Sequence, residues 1–287
     1  MKYLKKFETE ADKNAWLKGS EFITPNVVLT GDVVGYNEKI DFSLLPLYID
    51  AIEDLTIKFS NNYEYSKDNA TWTSGTSSTS ISASAGERVY FRASGLTATS
   101  SAGIGSFTIS NGKCNVGGNV MSMAYGAEYK GQIEITLSNQ FNSLFKNATL
   151  LVDASDLVLP ATTLASYCYS SMLRGCTSLV TAPALSATTL ASYCYNSMFS
   201  GCTSLVTAPA LPATTLATNC YDTMFSGCTS LNYIKAMFTT EPSSSYTSNW
   251  VSGVSSSGTF VKNNSATWNV TGNNGIPNGW TVETATA

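Results

Sequence analysis

The sequence predicts a mainly β protein in four parts: an N-terminal module over residues 1–40, a β-sandwich-like domain over 41–138, a short repeat solenoid over 139–238, and a small β cap over 239–287. Three observations carry this. A 26-residue unit recurs in tandem in the second half, and short apolar alternations separated by Gly and Ser clusters fill residues 42–136. Charged residues make up only 13% of the chain, about half the usual share, with Ser, Thr, Asn and Gly in their place. A chain of 287 residues is long enough for two or three small cores.

The repeats set the architecture of the second half. Leu159 to Ala184 reads LPATTLASYCYSSMLRGCTSLVTAPA, Leu185 to Ala210 reads LSATTLASYCYNSMFSGCTSLVTAPA, and Leu211 onward reads LPATTLATNCYDTMFSGCTSLNYIKA. A degenerate half-copy starts at Phe141, with Ala148 where the others carry Cys176, Cys202 and Cys228. Atypical end copies are what a solenoid requires, since each repeat buries a face on its neighbour and the ends must be closed. The expected repeat core is Cys168, Met172 and Cys176, with Cys194, Met198 and Cys202 in the second copy and Cys220, Met224 and Cys228 in the third. Their spacing of four predicts one face of a short helical turn ending near Gly175. Thr177 to Leu185 alternates and then meets Pro183, so a short strand leaving into a turn is expected. Between Leu157 and Leu231 the only charged side chains are Arg174 and Asp222, so stacked copies would not repel one another, and Thr162, Thr163 and Ser178 would form hydroxyl ladders on the outside.

Residues 141–236 resemble the BspA-like leucine-rich repeats found in proteins of gut Bacteroidales and their phages, through the pattern LPATTLA-x-x-CY-x-x-MF-x-GCTSL-x-x-AP. The resemblance implies recognition and surface display, and it brings no catalytic residues with it. Leu173 and Arg174 in the first copy, and Ser186 in the second, depart from the pattern.

In the N-terminal module, Thr9 followed by Asp12 reads as a capping box and Gly19 as a C-cap, predicting a helix over Glu10–Lys18. A hairpin is expected between Pro25 and Tyr36. The opening KYLKKFETEADKNAWLKGSEFITPNV resembles the leader of virion-associated proteins of Bacteroidales phages, crAss-like phages among them. That resemblance implies docking to phage capsid or tail proteins. Tyr3, Leu4, Phe7 and Trp16, with Leu17, Phe22 and Ile23, are the expected docking residues, being more large apolar groups than forty residues bury alone. In the sandwich, Leu55, Ile57 and Phe59, then Val89 and Phe91, Phe107 and Ile109, and Ile133 and Ile135 mark strands by alternation. The stretches Glu64–Trp72 and Gly112–Asn119 resemble segments upstream of the same repeats in that group of proteins. After the repeats, Pro242–Trp250 reads as a Ser-rich connector. Strands are expected at Gly258–Lys262, Ala266–Val270 and Gly279–Val282, with a turn at Asn273-Asn274-Gly275.

Function classes are narrowed mostly by what is missing. The chain has no histidine, which removes the commonest general base and zinc ligand. It carries no nucleophile elbow, P-loop or dinucleotide-binding glycine motif. Glu53 with Asp54, or Asp153 with Asp156, are carboxylate pairs of the kind a glycosidase uses, and isolated surface acids are the default reading. A net charge of −4 without a basic cluster speaks against nucleic acid. No stretch reads as a secretory signal or a membrane span. Each cysteine set recurs every 26 residues, and buried packing is favoured over soft-metal binding. Tyr169, Tyr195 and Tyr221 read as core or interface contacts ahead of sugar-stacking platforms. The expectation is a non-enzymatic virion structural protein without cofactor or metal, a homo-oligomer of two or three chains, displaying its repeats for adhesion to host or mucosal glycans. A bacterial cell-surface adhesin and a polysaccharide-degrading spike are the alternatives.

Overall fold

The computed structural model describes residues 41–93 and 103–285. The N-terminal module, with its expected helix, hairpin and docking side chains, lies outside the described residues. The described chain is mainly β. Nine strands build a two-layer sandwich and its junction with the repeats: β1 (Leu47–Ala51), β2 (Leu55–Phe59), β3 (Tyr63–Ser66), β4 (Thr73–Gly75), β5 (Ile81–Ala83), β6 (Arg88–Arg92), β7 (Phe107–Ser110), β8 (Cys114–Asn119) and β9 (Leu151–Val158). One sheet has the order β4-β3-β6-β1-β8-β9 and the other β5-β2-β7. Pairing is antiparallel except between β8 and β9, which run parallel.

The alternations at Leu55–Phe59, Val89–Phe91 and Phe107–Ile109 fall in β2, β6 and β7, and place Ile57, Phe59, Phe91 and Phe107 in the core between the sheets. Their rings interlock, with Phe59 and Phe91 centred 4.6 and 4.9 Å from Phe107. The alternation at Ile133 and Ile135 forms no strand. Ile133 is 55% exposed, and this segment pairs by its backbone with Thr162 and Thr163, which makes it the edge of the coil stack. Phe107 stacks on Phe145 at 5.0 Å, and β9 extends the large sheet, so one sheet and one apolar core run across residue 138.

The copies stack as coils, but the expected helical turn is replaced by another backbone form. From residue 165 to 176 the chain is a ribbon of overlapping four-residue turns. The amides of Cys168, Ser170, Met172, Arg174 and Cys176 each donate to the carbonyl three residues back. The amides between them, from Tyr167 to Gly175, donate to carbonyls of the next coil, from Ser192 to Ser200. The second copy treats the third in the same way, from Tyr193→Thr218 to Gly201→Ser226. Each amide is therefore paired, alternately within a coil and between coils. Tyr167, Ser171 and Gly175, each third in its turn, take left-handed φ of 58°, 54° and 74°. An α-helix has no place for such residues. The four-residue spacing of Cys168, Met172 and Cys176 belongs to a helix face and equally to a ribbon that repeats every four residues. All nine expected repeat-core side chains are fully buried in this stack.

The Thr177–Leu185 segment is extended with one bridge, Thr181 to Asp153. On the same side lie β10 (Tyr233–Ala236), β11 (Thr259–Lys262) and β12 (Thr281–Thr284), a parallel sheet in sequence order. The expected connector before Trp250 is a further coil: the amides of Asn219, Tyr221, Phe225 and Gly227 donate to Ser245, Tyr246, Trp250 and Ser252. Its core residues are larger and no longer match the repeat, which hides the register in the sequence. The Asn273–Gly275 turn closes the end over Trp250, whose Nε1 donates to the Gly275 carbonyl at 2.9 Å. Ala266–Val270 is not a strand. Trp268 instead lies flat on Phe238 at 5.2 Å.

Gly175, Gly201, Gly227 and Gly253 form one left-handed column, and a Cβ built on Gly201 would sit 3.7 Å from the Gly175 Cα. That is ordinary contact, so only the φ of 78° opposes a side chain there. Gly201→Ala is expected to cost about 1–2 kcal/mol in chemical denaturation. An unchanged midpoint would contradict the left-handed geometry.

Candidate functional site

The thiols of the repeats are structural in their geometry. Cys176, Cys202 and Cys228 donate to the carbonyls of Phe145, Leu173 and Phe199 at 3.2, 3.2 and 3.1 Å, each bond crossing to the preceding coil. Burial pushes Cys168, Cys176, Cys220 and Cys228 up to about 12, and raises Cys194 and Cys202 well above the ordinary range. A thiol that stays protonated is a poor nucleophile and a poor metal ligand. Among the described residues no group of three or more His, Cys, Asp or Glu is placed to hold a metal ion. Tyr169, Tyr195 and Tyr221 stack at 5.8 and 5.9 Å inside the core, where no ligand reaches them.

The carboxylate pairs divide into two cases. Glu53 and Asp54 accept the amides of Lys113 at 3.1 Å and Ala85 at 2.8 Å, tying loops of the sandwich together. Asp153 and Asp156 line a cavity of about 130 Å³ with Asp50, Asn115 and Tyr48. Asp50 is held there by a two-pronged pair with Arg88, at 2.6 and 2.7 Å, and Asp153 accepts the Ser155 amide at 2.7 Å. Asp50 is thus engaged by Arg88 and Asp153 by the amide of its own turn, an arrangement that fits structural carboxylates rather than an acid and base pair.

The surface feature that stands out was not singled out by the sequence reading. Tyr167 and Tyr193 lie at one repeat position, on the outside of the ribbon, with rings parallel within 4° and centred 4.5 Å apart. Asn139 precedes them in the same column and Asn219 follows, so the column reads Asn, Tyr, Tyr, Asn. All four are left-handed, with φ of 62°, 58°, 58° and 51°. Asparagine is at ease in that conformation, whereas a bulky ring there is strained by about 1–2 kcal/mol. Tyr167 is 36% exposed and Tyr193 half-buried, so burial does not account for that strain. Desolvation, then the neighbouring Tyr193 phenol, raises the Tyr167 hydroxyl above its ordinary value. Beside the pair, Asn196 donates to Asp222 Oδ2 at 3.0 Å, and Ser197 and Thr223 share a hydroxyl bond of 2.7 Å. These polar ladders between copies run through positions other than the expected Thr162, Thr163 and Ser178. Asparagine at the equivalent position of the end copies was the available clue to a left-handed column.

Comparison of the chain with family models, with curated proteins and with solved structures finds no match. Among the described residues no helix is long and apolar enough to cross a membrane.

The buried thiols make a pH prediction. Their folded values lie above the ordinary 9.0, so the stability they contribute is complete below about pH 9 and is lost as pH rises toward 12, where only the unfolded chain ionises freely. Each thiol lowers stability by about 1.4 kcal/mol per pH unit within that window. Urea midpoints are expected to hold from pH 7 to about 8.5 and to fall steeply above 9. A flat profile to pH 11 would contradict the burial.

Proposed function

We propose that the protein is a non-catalytic binding component carried on a bacteriophage particle, docked through residues 1–40 and meeting glycans through the coil face around Tyr167 and Tyr193. The observation that carries the binding half is the stacked pair of left-handed tyrosines, Tyr167 exposed and Tyr193 half-buried, between Asn139 and Asn219. Strain kept at a surface position is a mark of use. A rigid phenol pair offers a flat apolar face with polar ends, the kind of surface that makes contact at little entropic cost. The uncharged hydroxyl surface around it stays soluble without imposing a charge requirement on the ligand. The docking half rests on the resemblance of the opening residues to phage virion leaders. Two or three chains per assembly would raise the avidity of a weak sugar contact.

The double variant Tyr167→Asn, Tyr193→Asn tests the binding half. Relief of left-handed strain offsets a lost ring stack of about 0.5–1.5 kcal/mol, so stability is expected to stay within about 1 kcal/mol of the parent. Retention on a panel of immobilised mucin and capsule glycans should fall at least tenfold, and unchanged retention would remove the coil face from the proposal.

Deleting residues 1–40 tests the docking half. The truncated chain is expected to be soluble and missing from purified particles by mass spectrometry. Normal copy number on particles would contradict the assignment.

A further inference from the structure

The outer face of the large sandwich sheet carries a second concavity, remote in sequence from the coils. The 67–72 loop, the end of β6, Pro46 and the turn at 127–130 enclose about 110 Å³, walled by Asn69, Trp72, Arg92, Tyr129 and Lys130. The loop is built before any ligand arrives. Asp68 Oδ1 accepts the amides of Ala70 and Thr71 at 2.9 and 2.7 Å and the Ser66 hydroxyl at 2.8 Å. Those bonds hold the Asp68 carboxyl well below its usual range. They also fix Asn69 in a left-handed conformation, φ 57°, at 8% exposure.

Two features of the wall point to a ligand. The Nδ2 of Asn69 is buried without a hydrogen-bond partner, a costly condition that an acceptor oxygen at the pocket wall relieves. Trp72 is held by the Arg92 guanidinium, 4.0 Å over its ring, while Arg92 Nε pairs with Glu64 at 2.6 Å. The indole is thereby held as a wall of the pocket, which Arg92 and Lys130 also line. Cations, an amide donor and an indole in one small pocket match an oxyanion carried on an apolar ring.

We infer that this pocket binds a carboxylate-bearing sugar residue, with its carboxylate toward Asn69, Arg92 and Lys130 and its ring against Trp72. The inference rests on the glycan half of the proposed function and places a second, charge-selective contact in the sandwich. A volume of about 110 Å³ admits the carboxylate and part of a pyranose, so a terminal or side-branch residue fits and the interior of a chain does not.

The test is ligand-observed NMR of the full-length protein with glucuronate, glucose and glucose 6-sulfate. Glucuronate is expected to bind at least tenfold more tightly than glucose. Glucose 6-sulfate binding equally well would overturn the carboxylate assignment and leave the pocket selective for any oxyanion. Asn69→Gly keeps the left-handed backbone and deletes the amide, and Trp72→Ala deletes the ring; each should weaken glucuronate at least tenfold with the thermal midpoint of Asn69→Gly near that of the parent. No glucuronate binding at 10 mM, or binding indifferent to both variants, would overturn the inference. Tyr167→Asn, Tyr193→Asn serves as the control that separates the two sites: it should abolish coil-face glycan retention and leave glucuronate binding unchanged.

Discussion

The structure depends on one backbone arrangement, the alternation of amide bonds along the turn ribbon. In a helix every amide is used inside the segment, and in a sheet every amide is used between segments. Here successive amides take the two roles in turn, Cys168 to Ala165 within the coil and Tyr169 to Cys194 across to the next. The consequence is that a coil cannot be satisfied alone: about half of its donors need a neighbour at a fixed offset. This requirement accounts for the near-identity of the copies better than side-chain packing does. A shift of one residue would send a turn-closing amide toward the next coil and leave its partner carbonyl bare, and a bare buried amide costs on the order of 1–3 kcal/mol.

The side chains follow from that arrangement. Residues on the inner side of the ribbon recur directly above one another, which is why Phe141, Tyr169, Tyr195 and Tyr221 make a ring column at 5.7, 5.8 and 5.9 Å. A column position can be small or large only if the neighbouring column compensates, and cysteine fits the narrow places because it is compact and its thiol still donates to a carbonyl of the coil before it. The ends are closed by different means. At the front, Phe107 of the sandwich stacks on Phe145, and β8 supplies the parallel neighbour that β9 needs. At the back, Trp250 and Trp268 replace the repeat's own residues and the Asn273–Gly275 turn caps the last coil. Large indoles at that end cover an apolar surface that a further copy would otherwise have to bury.

How much of this could be read beforehand depends on which signal each feature leaves. The 26-residue register and the inward set of Cys and Met were legible because identity between copies reports stacking directly. The β2 and β7 strands were legible because one of their faces is buried and the other is largely exposed, and β6 because Val89 and Phe91 alternate with Arg88 and Arg92. The ribbon was not, because a repeat of four in a short segment is common to two backbones, and the distinguishing left-handed residues are Tyr, Ser and Gly in turn, of which only Gly advertises itself. The last coil was hidden for the opposite reason: Tyr246, Trp250 and Val254 stand where the copies carry Cys220, Met224 and Cys228, so the register survives in the backbone and vanishes in the letters. The Ile133–Ile135 alternation forms no strand of the sandwich and instead makes a single bridge to the first coil at Thr163, since pattern alone does not name a partner.

The same reasoning decides where binding chemistry can reside. The inner columns of the ribbon are buried, so under the proposed reading the coils meet a ligand by their outer row, where, among the described residues of the Asn139–Tyr167–Tyr193–Asn219 column, Tyr167 and Tyr193 replace asparagine. The sandwich is under no such constraint. Its large sheet has one face in the core and one turned outward, and the outward face is organised by cation–ring contacts, Arg88 3.6 Å over Tyr48 and Arg92 4.0 Å over Trp72. Those contacts fix side chains that would be mobile on an ordinary sheet surface, and loops such as 67–72 can then be built against them to enclose a pocket. On the proposed reading, flat contact falls to the coils and enclosure to the sandwich, and the parallel pairing of β8 with β9 joins the two.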